Sequence, residues 1–263
     1  MYNDFYVNLK QNINLSDEDF ASSLKFINEN SSFKSSNYSE RLGAVLFASK
    51  KLYSRYKSAD IPDRVFFDTM SDITIWCNNC SKKGVKNTAW LVNHLNFELF
   101  RLGRLQYQLV DFNRPLFVDK DSIPKDMEKK CIFVHIPQGE KLDFDACVNS
   151  LYEAVSFFDK YFPSFKYNYF VCESWLLSET NKEFMDENSN IIKFQSLFNI
   201  VGNMKYNKQG YERIFGKYRL FKNRYPTDTS LQKNAKNYIL NGSKLGVGYG
   251  IIDKNNYKKR TDE

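Results

Sequence analysis

The spacing of apolar residues changes at Gly103, and this change constrains the fold more than any other feature. Over roughly the first hundred residues, apolar side chains recur every three to four positions, as in amphipathic helices. After Gly103 they alternate with other residues, as Leu105, Tyr107 and Leu109 do, which indicates a strand. Two arginines, Arg101 and Arg104, flank the change.

The patterns along the chain predict a helical N-terminal domain followed by a sheet domain with flanking helices. Helices are expected over 17–27, 38–52, 62–76, 88–99, 143–161, 212–215 and 230–240. Strands are expected over 105–110, 131–137, 167–176, 191–201 and 246–252, and residues 114–129 are expected to form a loop. Strands interleaved with helices predict an α/β or α+β fold. The expected division is residues 1–98, 99–254 and a basic tail at 255–263.

The bulk properties predict a cytoplasmic protein without disulfide bonds. No run reaches the roughly 18–20 apolar residues that a membrane helix needs, and the N-terminus lacks a signal-peptide pattern. Five cysteines are an odd and scattered set, which fits reduced thiols. The net charge of +7 is modest and the lysines look scattered, so neither nucleic acid nor membrane is expected as a partner. A small phosphorylated ligand is equally compatible.

Arg101 and Arg104 are candidates for binding an anionic ligand group, because a guanidinium near a strand start needs an anionic or carbonyl partner. The alternative is an ion pair with a carboxylate such as Glu98 or Asp111. Thr229 and Ser230 open a helix whose N-terminal amides could bind phosphate, but the sequence favours ordinary capping over a phosphate contact.

Polar residues at two strand ends are candidates for catalysis. His135 ends one strand before a turn, and its imidazole could deprotonate an acceptor. Cys172, Glu173 and Ser174 end another strand, where alternation puts Glu173 on one side and its two neighbours on the other. Glu173 could act as a general base, Ser174 could position a carbonyl, and Cys172 could be a nucleophile if it pairs with His135. The alternative for all of them is core packing and hydrogen bonding within the fold.

Four further residues are candidates for lining a substrate pocket. Trp175 and Phe194 could form an apolar wall, and Asn190 and Gln195 could orient an amide, although such aromatic residues are more often part of a core. Cys77 and Cys80 have the spacing of a zinc half-site, but no second ligand pair follows, so no metal is expected.

Six phrases, in this order and spacing, resemble an uncharacterised bacterial acyltransferase family that is common in Firmicutes. They are Phe100-Arg101-Leu102-Gly103-Arg104-Leu105-Gln106, Val134-His135-Ile136-Pro137 with Gly139, Phe157-Phe158 to Tyr161-Phe162-Pro163, Cys172-Glu173-Ser174-Trp175-Leu176-Leu177, Ser189-Asn190-Ile191 with Phe194-Gln195, and Pro226-Thr227-Asp228-Thr229-Ser230-Leu231-Gln232. Members of this family join a helical N-terminal acyltransferase domain to a GNAT-like C-terminal domain.

The resemblance implies a GNAT-like sheet and transfer of an acyl group from acyl-CoA or acetyl-CoA, as co-substrate, to an unidentified small-molecule amine. The classical GNAT phosphate loop is missing, because its nearest match, 243–248, has Ser243 at the first position and leads into a strand. The alternative function is therefore a non-catalytic binding module with a degenerate acyltransferase fold that recognises a small anionic ligand or a protein partner.

Overall fold

The computed structural model describes residues 38–258, which fall into two compact units. Among these residues, unit 1 comprises 38–108 and 136–140, and unit 2 comprises 109–135 and 141–258. The helix expected over 17–27 and most of the expected basic tail lie outside the described residues. None of the described helices is long and apolar enough to cross a membrane.

Unit 1 is helical before it ends in a hairpin. Its helices are α1 (Tyr38–Ser58), α2 (Asp63–Met70), α3 (Asp72–Asn79) and α4 (Thr88–Leu95). The first of them buries one stripe, which includes Leu42, Val45 and Leu52. The cap of α4 is Asn87, whose side chain accepts a hydrogen bond from the N–H of Trp90. The expected helix over 38–52 is confirmed, whereas the single helix expected over 62–76 is two helices that meet at Ser71.

The expected extension of α4 to residue 99 is wrong, because a strand begins at that residue. Strands β1 (Leu99–Leu102) and β2 (Leu105–Asp111) pair antiparallel, with Leu102 opposite Leu105. Gly103 has φ 65°, which is the conformation that favours glycine at the first position of a two-residue hairpin turn. Every residue of β1 is buried, so the strand shows no alternation in the sequence.

Unit 2 contains a mixed sheet. Its strands are β3 (Lys130–His135), β4 (Tyr169–Ser174), β5 (Asn199–Met204) and β6 (Val247–Asp253). The order is β3-β4-β6-β5, with the last residues of β2 beside β3. Strands β3 and β4 are parallel, whereas β6 is antiparallel to both β4 and β5. The expected α+β class, in which a helical region is followed along the chain by a mixed and mostly antiparallel sheet with flanking helices, is confirmed.

The helices of unit 2 are α5 (Phe144–Tyr161), α6 (Asn190–Gln195), α7 (Lys208–Phe215) and α8 (Ser230–Leu240). Helix α5 connects the parallel strands, and the Asp143 carboxylate caps it by accepting the N–H of Ala146 at 3.0 Å. The strand expected over 191–201 is wrong, because Ser189 caps α6 there and β5 begins only at Asn199.

The two faces of the sheet pack against different segments. On one face, Val118 of the loop 112–129 packs with Cys131, Val171 and Tyr249. On the other face, Gly250 lies so close to Phe198 that an added Cβ would come within 2.8 Å of its side chain. Alternation along β4 therefore sends odd-numbered residues towards the loop and even-numbered residues towards the segment around Phe198.

Candidate active site

The parallel strands β3 and β4 stay paired over only a short stretch. Their register consists of Ile132 opposite Phe170 and Phe133 opposite Val171, although β3 runs on to His135. On its other side β4 remains paired with β6 up to Ser174. Within the described strands, the last three residues of β4 therefore have a partner strand on one side only. Ligands bind beyond the carboxyl ends of parallel strands at such openings.

Three polar side chains belong to the same face of the sheet at this opening. Because Phe133 lies opposite Val171, the positions two residues further on, His135 and Glu173, also project to one side. Tyr249 of β6 is the direct cross-strand partner of Glu173 and shares that side. The imidazole of His135 stacks on the ring of Phe133, with 4.7 Å between the ring centres.

Burial raises the pKa values of two of these side chains, Glu173 and Tyr249. Glu173 is half-buried, and burial raises the pKa of its carboxyl above the ordinary glutamate value. Burial also raises the pKa of the Tyr249 phenol, and the neighbouring Cys131, Cys172 and Glu173 add to the effect. A carboxylate with a raised pKa is a stronger proton acceptor than an exposed one, which is what a general base requires.

Cys172 lies on the opposite face of β4 from His135 and Glu173. It is completely buried, and burial raises the pKa of its thiol, with a smaller contribution from the charge of Glu173. The protonated thiol is a poor nucleophile. The structure does not bring the thiol and the imidazole of His135 to one side of the sheet.

Ser174 shares the face of Cys172 and has a structural contact. Its Oγ accepts a hydrogen bond from the N–H of Leu176 at 3.2 Å, which caps the short 3-10 turn Trp175–Leu177. The hydroxyl proton remains available as a donor, so its role in positioning a carbonyl stays a prediction.

The predicted substrate-binding residues lie beyond the end of β4. Phe194 is buried against Phe198, with 5.2 Å between ring centres. The Nε2 of Gln195 donates to the carbonyls of Leu176 and Ser178 at 2.9 and 2.8 Å.

Trp175 directly follows β4, and its backbone N–H donates to Oε1 of Gln209 at 2.7 Å. Its indole packs against a cluster formed by α7, α8 and Leu245. Asn190 is the half-buried first residue of α6. These contacts explain why the fold uses these residues, and their part in a pocket stays a prediction.

In unit 1, Arg101 and Arg104 hold a segment of their own unit. The Arg104 guanidinium donates to the carbonyl of Pro137 at 3.2 Å and to that of Glu140 at 3.0 Å. Arg101 donates to Oγ of Ser71 at 3.2 Å and to the carboxylate of Glu140. The carboxylate that pairs with Arg101 is therefore Glu140, which sequence reasoning missed because 39 positions separate the two residues.

Thr229 and Ser230 begin α8 with a capping box. The Thr229 hydroxyl accepts the N–H of Gln232 at 3.1 Å, and Oε1 of Gln232 accepts the N–H of Thr229 at 3.4 Å. These contacts satisfy the capping interpretation, and Ser230 is exposed at the first helical position. A phosphate contact at either residue stays a prediction.

The glycine pattern at 243–248 enters β6 rather than a helix. An added Cβ at Gly246 would come within 2.0 Å of the carbonyl oxygen of Met204, so this glycine allows two backbone segments to approach closely. Cys77 and Cys80 are half-buried, and among residues 38–258 no group of three or more possible metal ligands occurs.

Tyr249 is the residue of the site that sequence reasoning missed. It lies in an apolar strand whose alternation is hidden, since almost every residue of β6 is buried. Only the pairing of β6 with β4 reveals that its ring lies beside Glu173. The sequence signal that could have suggested it is a tyrosine between two strand glycines, Gly248 and Gly250.

Comparisons with known proteins agree with this architecture. Residues 14–97 match the N-acyltransferase N-terminal domain family, and residues 99–252 match the GNAT-like C-terminal domain family. None of the curated proteins matches the chain.

Several solved acyltransferase structures have the same fold. An acyltransferase in complex with decanoyl-CoA and teicoplanin has a TM-score of 0.71 at 20% sequence identity, covering 89% of this chain and 76% of the other. The complex described with CoA and 10C-teicoplanin has a TM-score of 0.70, again at 20% identity with 89% and 76% coverage. The complex with decanoyl-CoA alone has a TM-score of 0.69 at 20% identity, with 89% and 75% coverage. The chain therefore belongs to the acyltransferase family in which an N-acyltransferase N-terminal domain precedes a GNAT-like C-terminal domain.

Proposed function

We propose that this protein is an acyl-CoA-dependent N-acyltransferase whose reaction takes place where β3 and β4 separate. One observation carries the proposal. At the open carboxyl ends of the parallel strands, Glu173 has a raised carboxyl pKa and shares a face with His135. The structural neighbours bound to decanoyl-CoA and to CoA support the same class of donor.

The open edge of β4 suits the donor substrate. The arm of coenzyme A contains two amide groups, and residues 172–174 present backbone polar groups on the side that β3 has left. An amide-bearing arm can bind there by the hydrogen bonds that an added strand would make. The thioester would then lie beside the last residues of β4, within the neighbourhood of Glu173 and Ser174.

The proposed chemistry is acyl transfer to an amine. The acceptor arrives as an ammonium ion, and the Glu173 carboxylate removes one proton, directly or through water. The free amine attacks the thioester carbonyl to form a tetrahedral intermediate. As the intermediate collapses, its nitrogen loses a second proton and the C–S bond breaks, and the departing CoA thiolate takes up that proton. His135 is the second group that can transfer a proton at this face. These proton transfers and the attack on the thioester use only the side chains named here.

The remaining predicted residues receive different roles in this proposal. Ser174 positions the thioester with its hydroxyl proton. Trp175, Asn190, Phe194 and Gln195 shape the walls beyond the end of β4. Ser174 and Gln195 are both hydrogen-bonded to Leu176, which Trp175 directly precedes.

Arg101 and Arg104 act on the 137–140 segment rather than on the donor, because their donors already bind protein oxygens. Thr229 and Ser230 cap α8. Cys172 is a core residue, because its thiol is completely buried.

The test combines binding with transfer. Calorimetry with acetyl-CoA, decanoyl-CoA and free CoA measures donor binding, and release of the CoA thiol with a panel of small amines measures transfer. Glu173→Gln should lower kcat about 10²- to 10⁴-fold, the range for loss of a general base. Its Kd for acyl-CoA should stay close to that of the wild type. The matched control is Glu187→Gln, which changes an exposed carboxylate and should leave both quantities unchanged.

Two results would contradict the proposal. A well-folded full-length chain that binds none of the three CoA compounds is not an acyl-CoA-dependent enzyme. Transfer that is unaffected in Glu173→Gln would exclude this carboxylate as the base. Binding of CoA without transfer to any amine would instead favour the non-catalytic alternative, a binding module for small anionic ligands.

A further inference from the structure

The positive charge of this protein is concentrated in one segment. Residues 205–244 contain ten Lys or Arg and two Asp or Glu, which is a net charge of +8. The rest of the chain contains 28 Lys or Arg and 29 Asp or Glu, which leaves it close to neutral. The charge that appears modest over the whole sequence is therefore dense within forty residues. A cluster of this kind attracts an anionic partner.

The densest part is the connection between α7 and α8, residues 216–224, named here the cationic loop. It contains Lys217, Arg219, Lys222 and Arg224 and no acidic residue. Three of the four cations are exposed, and Arg219 is half-buried.

The cationic loop is anchored by contacts of Arg219 and Lys222. The Tyr225 hydroxyl accepts the N–H of Arg219 at 2.9 Å and donates to the carbonyl of the same residue at 3.0 Å. The Tyr225 ring stacks on Phe215, with 4.3 Å between ring centres. Lys222 donates from Nζ to the carbonyl of Ile239 at 2.8 Å, which ties the loop to the end of α8. The side chains of the loop that do not make these contacts, such as Leu220 and Phe221, therefore project from an anchored backbone.

Two large apolar side chains project from the cationic loop. Leu220 is 84% exposed and Phe221 is 61% exposed, although they are adjacent in sequence. The guanidinium of Arg224 lies over the Phe221 ring, 4.9 Å from its centre. Leu240, which follows the residue that Lys222 contacts, is 49% exposed. Contiguous exposed apolar side chains within a charged rim mark an interaction surface.

The combination of side chains identifies the partner. A nucleic-acid backbone would use the cations and could stack a base on Phe221, but an aliphatic side chain such as Leu220 has no partner in it. An anionic bilayer interacts with both the cationic and the apolar side chains. Its headgroups attract Lys and Arg, while Leu and Phe enter the boundary of the acyl chains. We propose that the cationic loop docks this protein on the surface of an anionic lipid membrane, with Leu220 and Phe221 inserted.

This proposal differs from the sequence-based expectation that no membrane is involved. That expectation rested on the lack of a membrane-spanning run and on lysines that looked scattered. Surface docking needs no spanning helix, only a short apolar tip and a basic rim. The proposal does not depend on the acyl-transfer reaction, because none of its residues belongs to the candidate active site.

The test measures partitioning of the full-length protein onto vesicles by flotation. Vesicles of phosphatidylcholine alone are compared with vesicles of an equal mixture of phosphatidylcholine and phosphatidylglycerol. The wild type should float only with the anionic vesicles. The double change Leu220→Ser with Phe221→Ser should lower partitioning by at least about tenfold, because it removes the apolar insertion. Leu116→Ser is the matched control, since Leu116 is 98% exposed in another loop of the same unit.

A second pair of variants tests the charge. Lys217→Gln with Arg224→Gln should lower partitioning about 30-fold, because each cation near an anionic surface contributes about a factor of 5. Lys120→Gln with Lys125→Gln removes the same charge from another exposed loop and should have a much smaller effect. All four variants change exposed side chains, so their melting temperatures should match that of the wild type.

Three results would overturn the proposal. The first is no flotation with anionic vesicles at low ionic strength. The second is flotation that the Leu220→Ser, Phe221→Ser variant retains in full, which would mean that the apolar tip does not enter the bilayer. The third is binding to a single-stranded oligonucleotide, lost in the charge variant, without binding to vesicles, which would assign the surface to nucleic acid.

Discussion

Replacing Arg104 by alanine is the clearest test of how the structure uses its buried arginines. Arg104 is almost fully buried at the turn of the β1–β2 hairpin and donates to the carbonyls of Pro137 and Glu140. The change removes both hydrogen bonds at once. It also leaves the carbonyl of Pro137 buried without this donor, which is the more expensive part of the loss.

The expected loss of stability follows from these two bonds. A hydrogen bond from a charged donor contributes about 1.5–3 kcal/mol. The bond to Pro137 is buried and belongs at the upper end, whereas the bond to Glu140 is partly exposed and belongs at the lower end. We expect Arg104→Ala to lower the free energy of unfolding by about 4–5 kcal/mol. Arg104→Lys should lose less, because one ammonium can still reach one of the carbonyls.

The assay is denaturant-induced unfolding of the full-length protein, with Glu140→Gln as the comparison. That change removes the carboxylate that pairs with Arg101. Because the Glu140 side chain is 54% exposed, the change should lower the free energy of unfolding by less than about 1 kcal/mol. A loss under about 1 kcal/mol for Arg104→Ala would refute the reasoning. If the variant also lost acyl-CoA binding while remaining stable, Arg104 would be a ligand contact, as the sequence first suggested.

Four further outcomes are expected. The acidic limb of log kcat against pH should lie above the ordinary glutamate pKa of about 4.3, because burial raises the pKa of Glu173, and Glu173→Gln should abolish that limb. In unfolding experiments the same raised pKa makes the wild type lose stability as pH rises through the folded-state pKa, and Glu173→Gln should remove this dependence. Gly248→Ala should lower the melting temperature strongly, since its Cβ would come within 2.0 Å of the carbonyl oxygen of Leu177. Thr229→Ala should lower the unfolding free energy by about 1 kcal/mol, the usual effect of losing an N-cap, in chemical denaturation.

The fold could be predicted from the sequence where one side of an element faces solvent. Helices α1, α5 and α8 each have a polar side, so their apolar stripes have a helical period. Strand β1 is buried throughout and shows no alternation, so the expected helix was extended to its first residue, Leu99. Helix α6 is only six residues long, too short for its period to be distinguished from a strand.

The candidate site was only partly predictable, because part of it depends on how two distant strands pair. Polar residues at strand ends, such as His135 and Glu173, stand out in a sequence, and alternation correctly separated Glu173 from Cys172 and Ser174. Whether His135 lies on the side of Glu173 depends on the register of two strands that α5 separates. A shift of one residue would reverse the answer, and no local pattern fixes it.

The end of β4 connects the candidate active site with the cationic loop. Trp175 is the first residue after β4, and its indole packs against the cluster that contains Phe215 and Tyr225. Phe215 and Tyr225 stack on each other and flank the cationic loop on its two sides in the sequence. Packed side chains thus run from the cationic loop through this cluster to Trp175, which directly follows the strand that carries Glu173. The membrane contact and the acyl-transfer site would thus share one packed support while using separate side chains, which is why the Leu220 and Glu173 variants can distinguish them.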